Sequence, residues 1–282
     1  MIRIHRSLLV LSALALGALV SSDLPALAET TAASTETGGE NSEELAKKLA
    51  NPIASLISVP FQSNWDFGSG PGDDGWRYTL NVQPVIPITL NADWNLISRT
   101  ILPLIYQDDV IPGEGDQFGL GDTLQSLFFS PVAKGPFGLI WGVGPALLLP
   151  TATDTYFKSE KWGAGPTAVG LLQEGPWTFG MLANHIWSYA GEDDRRDVDQ
   201  TFLQPFVTYT TRTATGFVLN TESTYDWEGE EWTVPINFGV TQILKLGGMP
   251  VQFGLLGRYY ADRPDGGPDW GFRIPIVFLF PK

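Results

Sequence analysis

The sequence predicts an all-β protein, a transmembrane antiparallel up-and-down β-barrel of about twelve strands with a short N-terminal helix. Three observations predict it. From Ile53 onward, strand-length runs alternate apolar and polar residues, so the two kinds of side chain fall on opposite faces of a pleated strand. Aromatic residues stand at both ends of the apolar faces, the pattern of a strand that crosses a bilayer between two interfacial girdles. Finally, long acidic connections alternate with tight turns, as at the two rims of an outer-membrane barrel.

The first 28 residues are expected to direct export and not to fold. Arg3 and Arg6 precede the apolar run LLVLSALALGALV, and Ala26-Leu27-Ala28 fits a small-x-small cleavage site. The apolar run is shorter than the ~20 residues a helix needs to span a bilayer. No later run is long and apolar enough for a membrane helix. Residues 29–52 read as a flexible linker, TTAASTETGG, followed by a short periplasmic helix over NSEELAKKLA. Asn41 or Ser42 suits its N-cap, Glu43 and Glu44 its first turn, Lys47 and Lys48 its last, and Pro52 stops it. This helix is expected to be a spacer, with a plug in the barrel lumen as the other reading.

Residues 53–282 are assigned to the barrel, with strands expected at 55–67, 76–90, 94–106, 118–131, 137–149, 163–174, 176–190, 200–211, 214–227, 232–246, 250–262 and 270–280. An even number lets both ends of a closed chain lie on one side. The run 76–90 places Trp76, Tyr78, Leu80 and Val82 opposite Arg77, Thr79, Asn81 and Gln83; the run 94–106 places Trp94, Leu96, Leu102 and Tyr106 opposite Asn95 and Arg99. At ~3.3 Å per residue and ~40° tilt, Trp94 and Tyr106 lie roughly 30 Å apart, about the separation of two girdles. The long connections include GSGPGDDG (68–75), QDDVIPGEGDQ (107–117) and GEDDRRDVD (191–199); the short ones include NAD (91–93) and Arg212–Thr213. The pattern is weaker at 118–131 and 137–149, which are apolar on both faces in places, and Gly163–Gln173 is nearly featureless. Prolines 84, 87, 103, 205 and 235 interrupt runs where each removes a ladder donor.

Composition narrows the function. With no Cys there is no disulfide framework, thiol chemistry or Cys-linked lipid anchor. A net charge of −14 argues against nucleic acid as a partner, since phosphates need Lys and Arg. His185 is the one histidine after the export segment, so a His-rich metal site is excluded. His185 and Ser188 are three apart, on opposite strand faces, and cannot form the nucleophile–base pair of a membrane-barrel lipase. The Asp and Glu clusters lack calcium-loop spacing. The chain is therefore expected to be no enzyme and to carry no cofactor or metal.

What remains is the inward polar set: Arg77, Asn81, Gln83, Arg99, Asp122, Asn220, Glu222, Asp226, Arg258 and Arg273. Closure of the last strand on the first brings the arginines of strands 2, 3, 11 and 12 close together. Two readings follow: a basic wall facing an acidic wall across a polar pore, or ion pairs that fill and stiffen a narrow lumen.

The runs FGLGDTLQSLFF (118–129), LLLPTATD (147–154) and WGFRIPIVFLFPK (270–282) resemble the outer-membrane β-barrel family called MetA-pathway of phenol degradation. The run LAKKLANPIASLISVPFQ (45–62) is similar to the start of marine-bacterial barrels labelled transporters or neuromedin-U-like. The likeness covers essentially the whole mature chain. It implies an outer-membrane barrel of a Gram-negative bacterium that passes small molecules, apolar or aromatic compounds among them, by passive diffusion. It carries no catalytic residues to transfer. One departure is the ending: Phe280 is followed by Pro281 and Lys282, whereas barrel chains usually end on an aromatic read by the assembly machinery. The expected partners are outer-membrane lipid, that machinery and small solutes. The alternative is a structural or surface-interaction barrel with a filled lumen and no transport; a secreted soluble β protein comes third.

Overall fold

The computed structural model describes residues 41–281; the expected export segment and most of the linker lie outside them. Among the described residues the chain forms one short helix and a closed antiparallel barrel of twelve strands, four of them broken in two.

Helix α1 (Ser42–Leu49) has the expected caps: Asn41 Oδ1 accepts from the Glu44 amide at 2.8 Å, and Glu43 pairs with Lys47 at 2.8 Å. The strands are β1 (Ile57–Ser69), β2 (Gly75–Val82 and Val85–Thr89), β3 (Trp94–Asp108), β4 (Gln117–Leu120 and Thr123–Pro131), β5 (Ile140–Leu149), β6 (Lys161–Glu174), β7 (Trp177–Gly191), β8 (Asp199–Thr210), β9 (Thr215–Thr221 and Ser223–Asp226), β10 (Glu231–Thr233 and Pro235–Leu246), β11 (Met249–Tyr260) and β12 (Trp270–Phe280). Each strand pairs with the next. The barrel closes where β12 meets β1, in register from Ile57 opposite Phe280 to Phe67 opposite Trp270. Closure leaves no sheet edge, so every strand has neighbours on both sides for its backbone hydrogen bonds.

Two of the prolines account for strand breaks: Pro84 separates the halves of β2, and Pro235 opens the second half of β10. Pro87, Pro103 and Pro205 sit within strands and keep their register partners Ile97, Asn81 and Met181. The fifth strand begins at Ile140 and not at 137. Pro136–Gly138 form a 3-10 turn there, with Phe137 at φ 58°, and the chain cannot extend until it has passed.

The outer surface is apolar. Phe179, Met181, Phe217, Leu219, Phe238, Val240 and Leu255 are exposed on it. At the tight-turn rim Trp94 meets Trp141 at 6.0 Å and Trp177 meets Tyr209 at 4.9 Å; at the long-loop rim Tyr225 meets both Trp227 and Trp232. A water-soluble protein buries such residues, whereas a bilayer-spanning barrel displays them.

Part of the inside is apolar too. Ile53, Ile97, Phe128, Val169, Leu171 and Leu182 form a buried cluster within the barrel. This explains why the fourth strand lacks clean alternation: its inner face packs as a core. The featureless GAGP of β6 has a different cause. A Cβ on Gly165 would collide with the His185 carbonyl of β7, and one on Gly144 with the Leu127 carbonyl of β4, so close strand approach demands glycine at both.

Candidate functional site: the barrel lumen

Alternation along β1 aims Gln62, Asn64 and Asp66 inward, with Phe61, Trp65 and Phe67 on the outer face. The same rule aims Arg77, Thr79, Asn81 and Gln83 in from β2, Asn220 from β9, Arg258 from β11 and Arg273 from β12. Glu222 occupies the break in β9 and also points in.

These side chains meet across the lumen. Arg273 donates from Nη1 and Nη2 to the two oxygens of Glu222 at 2.7 and 2.6 Å, and from Nε to Asn64 Oδ1 at 2.6 Å. Arg258 donates to the same Asn64 oxygen at 2.9 Å and to Asp66 at 3.3 Å, with its guanidinium 5.4 Å from the Tyr260 ring centre. Asn237 donates to Asn220 at 2.9 Å. The basic and acidic walls expected from the sequence therefore do not face each other across open space. They are joined, with the β12 arginine tied to the β9 carboxylate.

The other two arginines differ. Arg77 donates to Gln107 at 2.9 Å and Arg99 to Gln83 at 3.1 Å, and neither forms an ion pair among the described residues. Asn81 lines the cavity beneath the long loops, and Gln83 donates to Gln62 while accepting from Arg99.

Asp122 and Asp226 go elsewhere. Asp122 accepts from the Ala152 and Ser159 amides and the Ser159 hydroxyl, so it pins the loop between β5 and β6. Asp226 pairs with Arg196 at 3.0 Å and caps the turn at Glu228 and Gly229. Asp122 stands in the break of β4 and Asp226 ends β9, and in both places the partners are loop groups. Asn64, Asp66, Tyr260 and Asn237 were missed. The alternation of FQSNWDF announces the first two, whereas Asn237, between Ile236 and Phe238, stands on the polar face of its strand and only its partner Asn220 defines its role.

Four of the cavities among the described residues bear on the lumen. One of about 340 Å³ lies under the long loops, bounded by Arg77, Asn81, Tyr260 and the 264–268 turn, and floored by Glu222 and Arg273. Two of about 210 and 200 Å³ flank the end of α1 at the tight-turn rim. The last, about 210 Å³, lies between β3–β5 and β7–β9 beside Arg99. Helix α1 is seated inside the tight-turn mouth. Leu45 and Ala46 are buried against Leu56, Ala214, Ile243, Val277 and Leu279, and Gln173 donates to the Lys47 carbonyl at 2.8 Å. The spacer expectation is thus corrected: the apolar face of the helix is covered by the inner barrel wall.

His185 faces outward, between Asp199 at 2.9 Å and Thr201 at 2.7 Å, and the Trp227 indole donates to the Thr201 hydroxyl. Ser188 bonds Asp197 instead of His185. No group of acidic or histidine side chains able to hold a metal occurs among the described residues.

No family model matches the chain, and no curated protein does. Among solved structures it is similar to the COG4313 outer membrane channel from Pseudomonas putida F1, at 14% identity and a TM-score of 0.63, over 80% of this chain and 96% of that one. OmpT from Vibrio cholerae, at 9% identity over 79% of this chain and 98% of that one, reaches a TM-score of only 0.41. At such identities the first likeness establishes the fold, a closed twelve-stranded barrel of outer-membrane type.

Proposed function

We propose that this protein is an outer-membrane channel for small molecules, held closed in this conformation at two levels. The observation that carries the reading is the set of cavities inside the closed wall, with the Arg273–Glu222 bridge and α1 lying among them. Arg273 borders both the outer cavity and one beside the helix, so its side chain stands at the boundary between them. The apolar outer surface with its aromatic rims supports placement in a bilayer, and the export signal read in residues 1–28 supports the outer membrane. The sequence resemblance to barrels of the phenol-degradation type supports small apolar or aromatic solutes and passive diffusion.

The lumen-spanning ion pair and the apolar inner cluster favour a second reading, a sealed barrel that works through its outer loops. Conductance separates the two. Purified protein lacking residues 41–50 should open reproducible steps in a planar bilayer, with the intact protein conducting less. A silent bilayer for both forms would sink the channel.

A further inference from the structure

The charges inside the barrel do not balance. Four arginines point into the lumen, and the two carboxylates they meet are both engaged: Glu222 with Arg273, and Asp66 with Arg258. Arg77 and Arg99 donate to neutral glutamine oxygens at 2.9 and 3.1 Å; Asp66 and Glu222 attract them only from beyond ion-pair distance, and each of those carboxylates is already bound to another arginine. In a chain of net charge −14, an interior with two more arginines than carboxylates among the described residues is not explained by composition.

Their surroundings differ. Arg77 is exposed to the outer cavity under the long loops. Arg99 borders a chamber of about 210 Å³ whose other walls are mainly Ile101, Leu124, Leu148, Ile186 and Phe202. A guanidinium beside such walls loses hydration that Gln83 and the more distant Glu222 restore only in part, and an anion that accepts its remaining N–H groups offsets this cost. The chamber is smaller than the ~300 Å³ lower limit usual for drug-sized ligands, so its occupant has one ring or a short chain. Asn184, Gln200 and Thr224 supply its few further polar groups. Arg99 also lines the cavity beside α1, so an occupant held there stands on the way to the tight-turn mouth.

We propose that this chamber binds small amphiphilic carboxylates, single-ring or short-chain acids, with Arg99 holding the carboxylate and the Ile, Leu and Phe wall covering the apolar body. The inference rests on the channel reading and names the solute class. A free carboxylate oxygen pair matches the planar fork of arginine, which a neutral aromatic solute cannot engage.

Binding to the full-length protein in detergent micelles, measured by saturation-transfer NMR against empty micelles, tests it with three probes. Benzoate should bind; benzamide, which lacks the charge, and acetate, which lacks the apolar body, should bind at least about tenfold more weakly. Arg99→Met should weaken benzoate by about tenfold to a hundredfold and leave benzamide unchanged, with Arg99→Lys between. Leu148→Gln, in the apolar wall, should narrow the gap between benzoate and acetate. Heat-modifiable gel migration verifies that each variant is a folded barrel. Equal binding of benzoate and benzamide by the unaltered protein overturns the proposal without recourse to any variant, as does an Arg99→Met protein that keeps its benzoate affinity. A barrel that conducts but shows no preference for benzoate overturns this inference alone; one that is silent yet holds benzoate through Arg99 overturns the channel and keeps the site.

Discussion

Arg273 on the last strand and Glu222 in the break of the ninth are bound through two parallel hydrogen bonds of 2.6 and 2.7 Å, although 51 residues and two intervening strands separate them. The arginine side chain is 4% exposed and the glutamate 19%. A pair of this geometry is costly to break from one side, because the remaining charge keeps its desolvation and loses its partner. Glu222→Gln should therefore lower barrel stability by up to about 3–5 kcal/mol, read as a fall in the urea midpoint for loss of heat-modifiable migration. The double variant Arg273→Met, Glu222→Leu should recover much of the loss, since neither charge is then stranded. A Glu222→Gln barrel as resistant as the parent would show that the pair carries no such role.

Helix α1 is held mainly by Leu45, 1% exposed, and Ala46, 5% exposed. A charge at Leu45 has no partner in that apolar cluster, so Leu45→Glu should expel the helix from the mouth without unfolding the strands. Since the chain contains no cysteine, Ala46→Cys reports on this cleanly. Maleimide should label Ala46→Cys slowly in the otherwise unaltered protein and at least about tenfold faster when Leu45→Glu is added, given an undocking shift of more than 1.4 kcal/mol. Equal labelling rates would mean that the helix is not lodged there.

The twelve strands were legible because a bilayer-spanning strand must show one apolar face along its whole length, and Trp94 to Tyr106 or Trp270 to Phe280 displays it without any tertiary information. The inward positions of Arg77, Asn81, Gln83, Arg258 and Arg273 followed from the same alternation. What could not be read was partnership. Asp122 and Asp226 have the parity or position of lumen residues, yet loops that fold back over the rim claim them. Leu45 and Leu49 mark α1 as amphipathic, but nothing local says that its apolar face meets Ile243 and Leu279, nearly 200 residues or more away. The inner apolar cluster around Phe128 was hidden because a strand buried on both faces loses the period that identifies it.

If the outer surface faces lipid, polarity there is penalised by depth. Phe238 is 55% exposed in the middle of the barrel wall, between Leu219 and Gly257 of the adjacent strands. Phe238→Arg should cost about 2–4 kcal/mol in folding into lipid vesicles, whereas a charge reversal at Asp93 in a tight turn should cost less than about 1 kcal/mol. A protein that tolerates Arg at Phe238 as readily as at Asp93 would not be spanning a bilayer at that level, and the soluble reading would return.

The long loops are tied down by ion pairs, and one of them titrates in a testable range. Lys161 reaches Asp197 in the β7–β8 loop at 2.9 Å, and the hydrogen bond from Lys161, joined by one from Ser188 at 3.1 Å, holds the Asp197 carboxyl below its ordinary 3.8. A carboxylate whose folded pKa is depressed stabilises the folded loop at pH above the unfolded value, and that contribution is lost as pH falls through the folded one. Carbon-detected NMR of Asp197 should therefore find a midpoint below 3.8 in the folded barrel. Lys161→Met should move that midpoint upward, and since the carboxylate is exposed, added salt should do the same more weakly. An unmoved midpoint in Lys161→Met would assign the depression to Ser188 alone, leaving the loop tied by its backbone and not by charge.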